Sequence, residues 1–185
     1  DSIQVYHCLK VLSSRPTDYD FQNLENALYG HVDCGVDYSV GEWLKDVEGA
    51  IKYAHRLKKI PIIVGGTGLY FSALLNGLSF IPPISNSTRK RSEHARKKSP
   101  ETFLKDLEER DHETYLNIDK KNLARVQRAW EVLMDTGRGL SYWQNKRQIS
   151  LLNKSECQCF ILSCDKSILQ EHISVRSQKM FQQGV

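Results

Sequence analysis

Twelve residues, Ile60-Pro-Ile-Ile-Val-Gly-Gly-Thr-Gly-Leu-Tyr-Phe71, constrain this chain more than any others. A short β-branched run meets three glycines around a threonine, and an apolar helical pattern follows at once, to Gly77. Pro61 forbids continuation of any helix from the preceding side. A continuous apolar run of this length is the pattern of a strand buried on both faces. Before it, Tyr38 to Lys59 predicts a helix. Ser39 with Glu42 three residues on forms a capping box. Val40, Trp43, Leu44, Val47, Ala50, Ile51, Ala54 and Leu57 recur at three-four spacing and share one face. Helix, strand, glycine turn and helix over Ser39 to Gly77 make a unit of a parallel α/β sheet. Gly65 and Gly66 let backbone N–H groups approach an anion. The next helix adds its dipole there, and Thr67 adds a hydroxyl. A tight turn that holds no ligand is equally compatible with these residues alone. No lysine follows the glycines, so this is not a Walker A loop.

The 185 residues suffice for one domain with a core and a smaller insertion. No apolar stretch is long enough to span a bilayer and no signal peptide is evident, which predicts a protein of the cytoplasm without membrane attachment. Five cysteines, an odd number without framework spacing, predict reduced thiols. Cys157, Cys159 and Cys164 lack a second pair or nearby histidines, which argues against zinc. The net charge of +4 is unevenly placed. Ser87 to Ser99 holds six Lys or Arg and one acid; Lys120 to Arg147 holds seven against two. A solvated basic face is the ordinary explanation. Two such stretches with helical character raise the case for a polyanionic partner.

The rest of the chain divides on pattern. Ser99 and Pro100 open a helix through Arg110, and Asn122 to Gly137 predicts another. There Leu123, Val126, Trp130 and Leu133 share a face, with Arg125 and Arg128 on the other side. From Leu151 the chain is β-like over "CQCFILSC", then helical. The predicted fold is α/β, a P-loop-type parallel sheet core (residues 1–84 and 151–185) with a helical insertion domain (residues 85–150). Asp1, at the end of an expected strand, sits where parallel sheets bind ligands. Gln4 carries an amide that can pair with an adenine edge.

"DSIQVY", "RPT", "LYGHVD", "YSVGEWL", "IPIIVGGTGLYFSALLNGLS", "ARVQRAWEV", "TGRGLS" and the closing Arg176, Met180 and Gly184 occur in order from end to end. In this combination the chain resembles the tRNA dimethylallyltransferases. The resemblance implies transfer of a dimethylallyl group from dimethylallyl diphosphate to the exocyclic amine of the adenine 3′ to the anticodon. It implies magnesium, ATP-type nucleotide-binding machinery, a monomer, and the tRNA anticodon stem-loop as partner. Asp1 and Thr67 are then catalytic, and Gly65, Gly66, Thr67 and Arg176 meet the diphosphate. Asp1, Ser2, Ile3, Gln4, Thr67, Arg89, Ala124, Arg125, Val126, Gln127 and Arg128 meet tRNA. The chemistry suits these residue types. A delocalised adenine amine needs a carboxylate to take its proton. A departing diphosphate needs N–H donors, a hydroxyl and cations.

In relatives a lysine-bearing phosphate loop precedes "DSxQVY", and the ligand of the magnesium ion belongs to it. Its absence here leads to the expectation of a fragment that is inactive alone. Asn122 stands where the family pattern has aspartate, and Asp119 and Lys120 replace a usual His-Pro. Two other readings are a non-catalytic RNA-binding remnant of such an enzyme and a P-loop nucleotide kinase relative that uses ATP.

Overall fold

The structure, a computed structural model, describes residues 1–22, 24–146 and 149–184, so Arg147 lies outside the described residues. The chain forms two compact units, Asp1–Gly77 with Ser150–Val185, and Leu78–Ile149.

The first unit contains α1 (Asp18–Phe21), α2 (Val40–Arg56), α3 (Gly68–Asn76) and, late in the chain, α9 (Lys166–Gln182). Helix α2 starts where its capping box dictates: Ser39 Oγ accepts from the Glu42 N–H, and the Glu42 carboxylate accepts from the Ser39 N–H. Its apolar face delivers Trp43, Val47 and Ile51 to a core shared with Val5, Val32, Tyr70 and Leu74. Trp43 stacks on Tyr70 of α3 with ring centroids 4.1 Å apart. Burial of each such large side chain contributes roughly 1.5–3 kcal/mol. The segment Gln4–Cys8 is held beside Gly30–Cys34 by three backbone bonds, Gly30 N–H to Gln4, Val32 N–H to Val5 and His7 N–H to Val32. A parallel bridge, Tyr6 with Val32, forms there.

The expected parallel sheet is not present: among the described residues that isolated bridge is the whole of the β structure, and the architecture is helical. Ile60–Val64 has no regular structure, with Ile60 88% and Ile62 84% exposed rather than buried on both faces. Residues 157–164 likewise have no regular structure, and Ile161 is 95% exposed. Ser2 to Val5 forms a turn instead of a strand end. The physical reason is that a strand closes its hydrogen bonds only on a neighbour. These apolar runs have the composition of strands but no second strand beside them.

The thiols also differ from expectation. Cys8 and Cys34 form a disulfide with Cα atoms 6.1 Å apart, inside the bridging range. The backbone pairing of Gln4–Cys8 with Gly30–Cys34 brings the two together, which no sequence spacing announces. Cys157, Cys159 and Cys164 are free.

The second unit is built on α4 (Asn86–Lys98), α5 (Glu101–Arg110), α6 (His112–Asn117), α7 (Leu123–Thr136) and α8 (Leu140–Gln144). Helix α7 is the central element. Val126, Ala129, Trp130, Val132 and Leu133 are buried, and Phe103 and Leu107 of α5 pack on this face. Trp130 tilts against Phe103 at 5.1 Å and donates its Nε1–H to Asp106 at 2.6 Å. Asp111 joins two helices by accepting from the N–H of Thr114 in α6 and of Leu140 in α8. Its carboxylate lies where a side chain on residue 139 would begin, so any larger residue there would displace Asp111 from these bonds.

Candidate functional site

Asp1, Ser2 and Thr67 meet in the first unit. Thr67 stands just before α3, yet its hydroxyl caps nothing in that helix. Instead Thr67 Oγ1 accepts from the Ser2 N–H at 2.9 Å and donates to Asp1 Oδ1 at 3.0 Å. Ser2 Oγ lies 3.2 Å from the same hydroxyl. Asp1 Oδ1 also takes a long bond from the Ile3 N–H at 3.4 Å. Oδ2 is the oxygen left for a ligand. Gly65 is required by this contact: a Cβ there would lie 2.8 Å from the Asp1 backbone nitrogen. Gly66 meets nothing within 4 Å of where its Cβ would be, so that side of its backbone is open. The cleft lined by Asp1, Trp43, Val64, Gly65 and Thr67 encloses about 10 Å³. That is room for one water, so a larger anion would lie across its mouth.

The remaining predicted residues distribute as follows. Gln4 spends its amide N–H groups on the Ser13 and Ser14 carbonyls, while Ile3 is exposed. Arg176 lies on α9, a helix with no buried residue, and does not line the Asp1 cleft. In the second unit, Arg89 is exposed on α4, and Ala124, Arg125 and Arg128 are exposed on α7. Val126 is 1% exposed and belongs to the core. Gln127 donates to Ser92 and Glu131 and accepts from Arg96, so its amide is absorbed between α4 and α7. Arg128 lies 3.8 Å from Glu131. Among the described residues Arg125 has no carboxylate within ion-pair distance.

One polar cluster escaped sequence reasoning. Tyr38 donates to Asp46 at 2.5 Å, and His31 Nε2 sits 3.1 Å from Tyr38 and 3.2 Å from Asp46. Burial, then the Asp46 carboxylate, push the Tyr38 phenol well above its ordinary pKa. The cluster pins the His31–Tyr38 loop to α2. Nothing but the "LYGHVD…Y" text could have flagged it.

The whole chain matches solved transferases in fold. It superposes with a TM-score of 0.79 and 24% identity on 46% of a eukaryotic dimethylallyltransferase acting on tRNA. It superposes with a TM-score of 0.55 and 25% identity on 60% of a tRNA isopentenylpyrophosphate transferase from Staphylococcus epidermidis. In sequence it is 42% identical over 184 residues to a tRNA dimethylallyltransferase of Dinoroseobacter shibae and 41% identical to one of Ruegeria sp.. Each alignment covers the chain completely and 60% of the relative, so the chain spans about three fifths of the length of these relatives. The profile of the IPP transferase family matches residues 4–185. The chain belongs to the IPP transferase family.

Proposed function

We propose that this chain serves the transfer of a dimethylallyl group from dimethylallyl diphosphate to the exocyclic amine of the adenine 3′ to a tRNA anticodon. The observation that carries this reading is the 3.0 Å bond from Thr67 Oγ1 to Asp1 Oδ1, made across 66 positions of sequence. It fixes one carboxylate oxygen and leaves Oδ2 to accept a proton. As the amine nitrogen bonds to the allylic carbon, the carbon–oxygen bond to diphosphate breaks. The amine proton passes to Asp1 Oδ2. The N–H groups of Gly65 and Gly66 and the uncapped start of α3 are the donors offered to the diphosphate. Arg89, Arg125 and Arg128 supply phosphate contacts on the RNA backbone. Names of relatives support the same chemistry.

Magnesium is implied by the family resemblance. Asp1 offers a single carboxylate, and among the described residues no group of three or more His, Cys, Asp or Glu side chains clusters to hold the ion.

Asp1→Ala in the intact protein is expected to lower turnover by about 10² to 10⁴, with RNA affinity little changed. Thr67→Val removes the donor that stabilises the charged carboxylate. It should lower turnover less than Asp1→Ala does, because the carboxylate stays in place but loses its anchor. Unaltered turnover in Asp1→Ala assigns the proton transfer elsewhere. Weakened RNA binding with normal turnover makes Asp1 a binding residue.

A further inference from the structure

The second unit contains a cavity of about 540 Å³, within the size of small-molecule sites, ~300–1,000 Å³. Neither Asp1 nor Thr67 lines it. Five of its polar residues are partly spent, and what those have left can be counted. Asn117 donates its Nδ2–H to the Glu113 carbonyl, which leaves Oδ1 as an acceptor. Asp119 accepts the Lys121 N–H on Oδ1, which leaves Oδ2. Asn122 caps α7 by accepting the Arg125 N–H on Oδ1, which leaves its NH₂ as a donor. At the buried floor Thr114 and Ser141 share one hydrogen bond of 2.8 Å, and Thr114 also accepts the Ser141 N–H. Two hydroxyl hydrogens serve one mutual bond, so one donor remains. Ile118, Ala124 and Leu140 give apolar wall, and Arg125, Arg128 and Gln144 also line the cavity.

Apolar wall, hydrogen-bonding groups of both kinds and two cations meet the three needs of a nucleotide: ring faces, base edge and phosphate. The acceptors left on Asn117 and Asp119 suit a base that carries an exocyclic amine, which uracil lacks. We propose that this cavity seats one unstacked, amine-bearing nucleotide of a bound RNA, a nucleotide additional to the one that reacts. The proposal rests on the RNA reading above and specifies how that RNA is gripped.

The test uses the intact protein, a fluorescein-labelled RNA hairpin for anisotropy, and free AMP and UMP for saturation-transfer NMR. Ala124→Trp fills the cavity from an exposed position, and Asp119→Ala removes an acceptor at another. Circular dichroism checks that both variants keep their helix content. Wild type is expected to bind AMP more strongly than UMP. Ala124→Trp should erase the AMP signal and weaken the hairpin by about ten-fold or more, the scale of one lost base contact. Asp119→Ala should reduce the preference for AMP over UMP. If both variants bind the hairpin as wild type does and wild type gives no AMP signal, the cavity proposal is overturned and RNA binding stands. AMP binding by a wild type that binds no hairpin upholds the nucleotide site and overturns the RNA reading. Loss of both in wild type overturns both.

Discussion

The two units satisfy their backbones in different ways. In Leu78–Ile149 each helix closes its own hydrogen bonds, and the ends are served by side chains close at hand. Ser85 caps α4, Asp111 caps α6 and reaches α8, and Asn122 caps α7. Packing then needs only apolar faces, and Phe103, Leu107 and Trp130 supply them. In Asp1–Gly77 with Ser150–Val185, α2 and α3 build a core, but Ile60–Val64 adds only the partly buried Ile63 to it, and residues 157–164 and α9 add no fully buried side chain. A helix is finished by its own sequence; an extended run is finished only by another chain segment. The lesson is that apolar composition measures what a segment could bury, whereas exposure measures what it has been given to bury against.

The sharpest way to break this contrast is Trp130→Ala. Loss of the ring, its Phe103 contact and its bond to Asp106 should cost about 3–5 kcal/mol. A two-transition denaturation curve should lose the midpoint of the helical unit alone. If the variant unfolds with an unchanged curve, α7 is not the centre of that unit.

Next comes the disulfide. Its sequence separation of 26 predicts that reduction lowers stability of the first unit by about 3 kcal/mol on the loop-closure model. Thiol titration of the denatured, unreduced protein should find only Cys157, Cys159 and Cys164. Five reactive thiols before reduction would remove the cross-link from the account.

Acid provides a smaller and purely directional effect. Hydrogen bonds from the Ser85 and Thr88 hydroxyls and the Ser85 N–H hold the Asp135 carboxyl below its ordinary value of 3.8. A carboxylate depressed by folding contributes stability above the unfolded pKa, and the contribution is lost as pH falls through the folded one. Asp135→Asn should therefore flatten part of the stability decline below pH 3.8. An identical acid limb in wild type and variant would show that this linkage is absent. The smallest effect belongs to α9: Ile173→Ala should change stability within about 0.5 kcal/mol. A larger loss by urea denaturation would mean that α9 packs after all.

Local structure was legible wherever the signal was local. Ser39 with Glu42 marks the start of α2, and Gly77 and Gly137 mark the ends of α3 and α7. The pairing of Ile60–Val64 was not legible, because a run of β-branched residues says nothing about whether a neighbour exists. Asp1 and Thr67 stood out singly, as a carboxylate at an expected strand end and a hydroxyl at the glycine turn, but their joint catalytic role came only from family resemblance. Their hydrogen bond spans 66 positions and has no periodicity that spacing could reveal. Cys8 and Cys34 were missed because an odd cysteine count dilutes every pairing. Within Ala124–Arg128, helical phase already separates Val126, on the Leu123–Trp130 face, from Arg125 and Arg128. The sequence could not say that Gln127 would be used up by Ser92 of α4.

That last contact has a mechanical consequence. Ser92 is 0% exposed and holds Glu131 at 2.5 Å and Gln127 at 2.9 Å, while Asp135 ties Ser85 and Thr88 at the other end. A part-buried lock at Ser92 and a second, more exposed one at Asp135 tie α4 to α7 at two points along their length. A partner that meets this helix pair does not have to freeze it first. The conformational entropy that a floppy basic segment surrenders on association has here been surrendered already, at folding, by a serine that never meets the solvent.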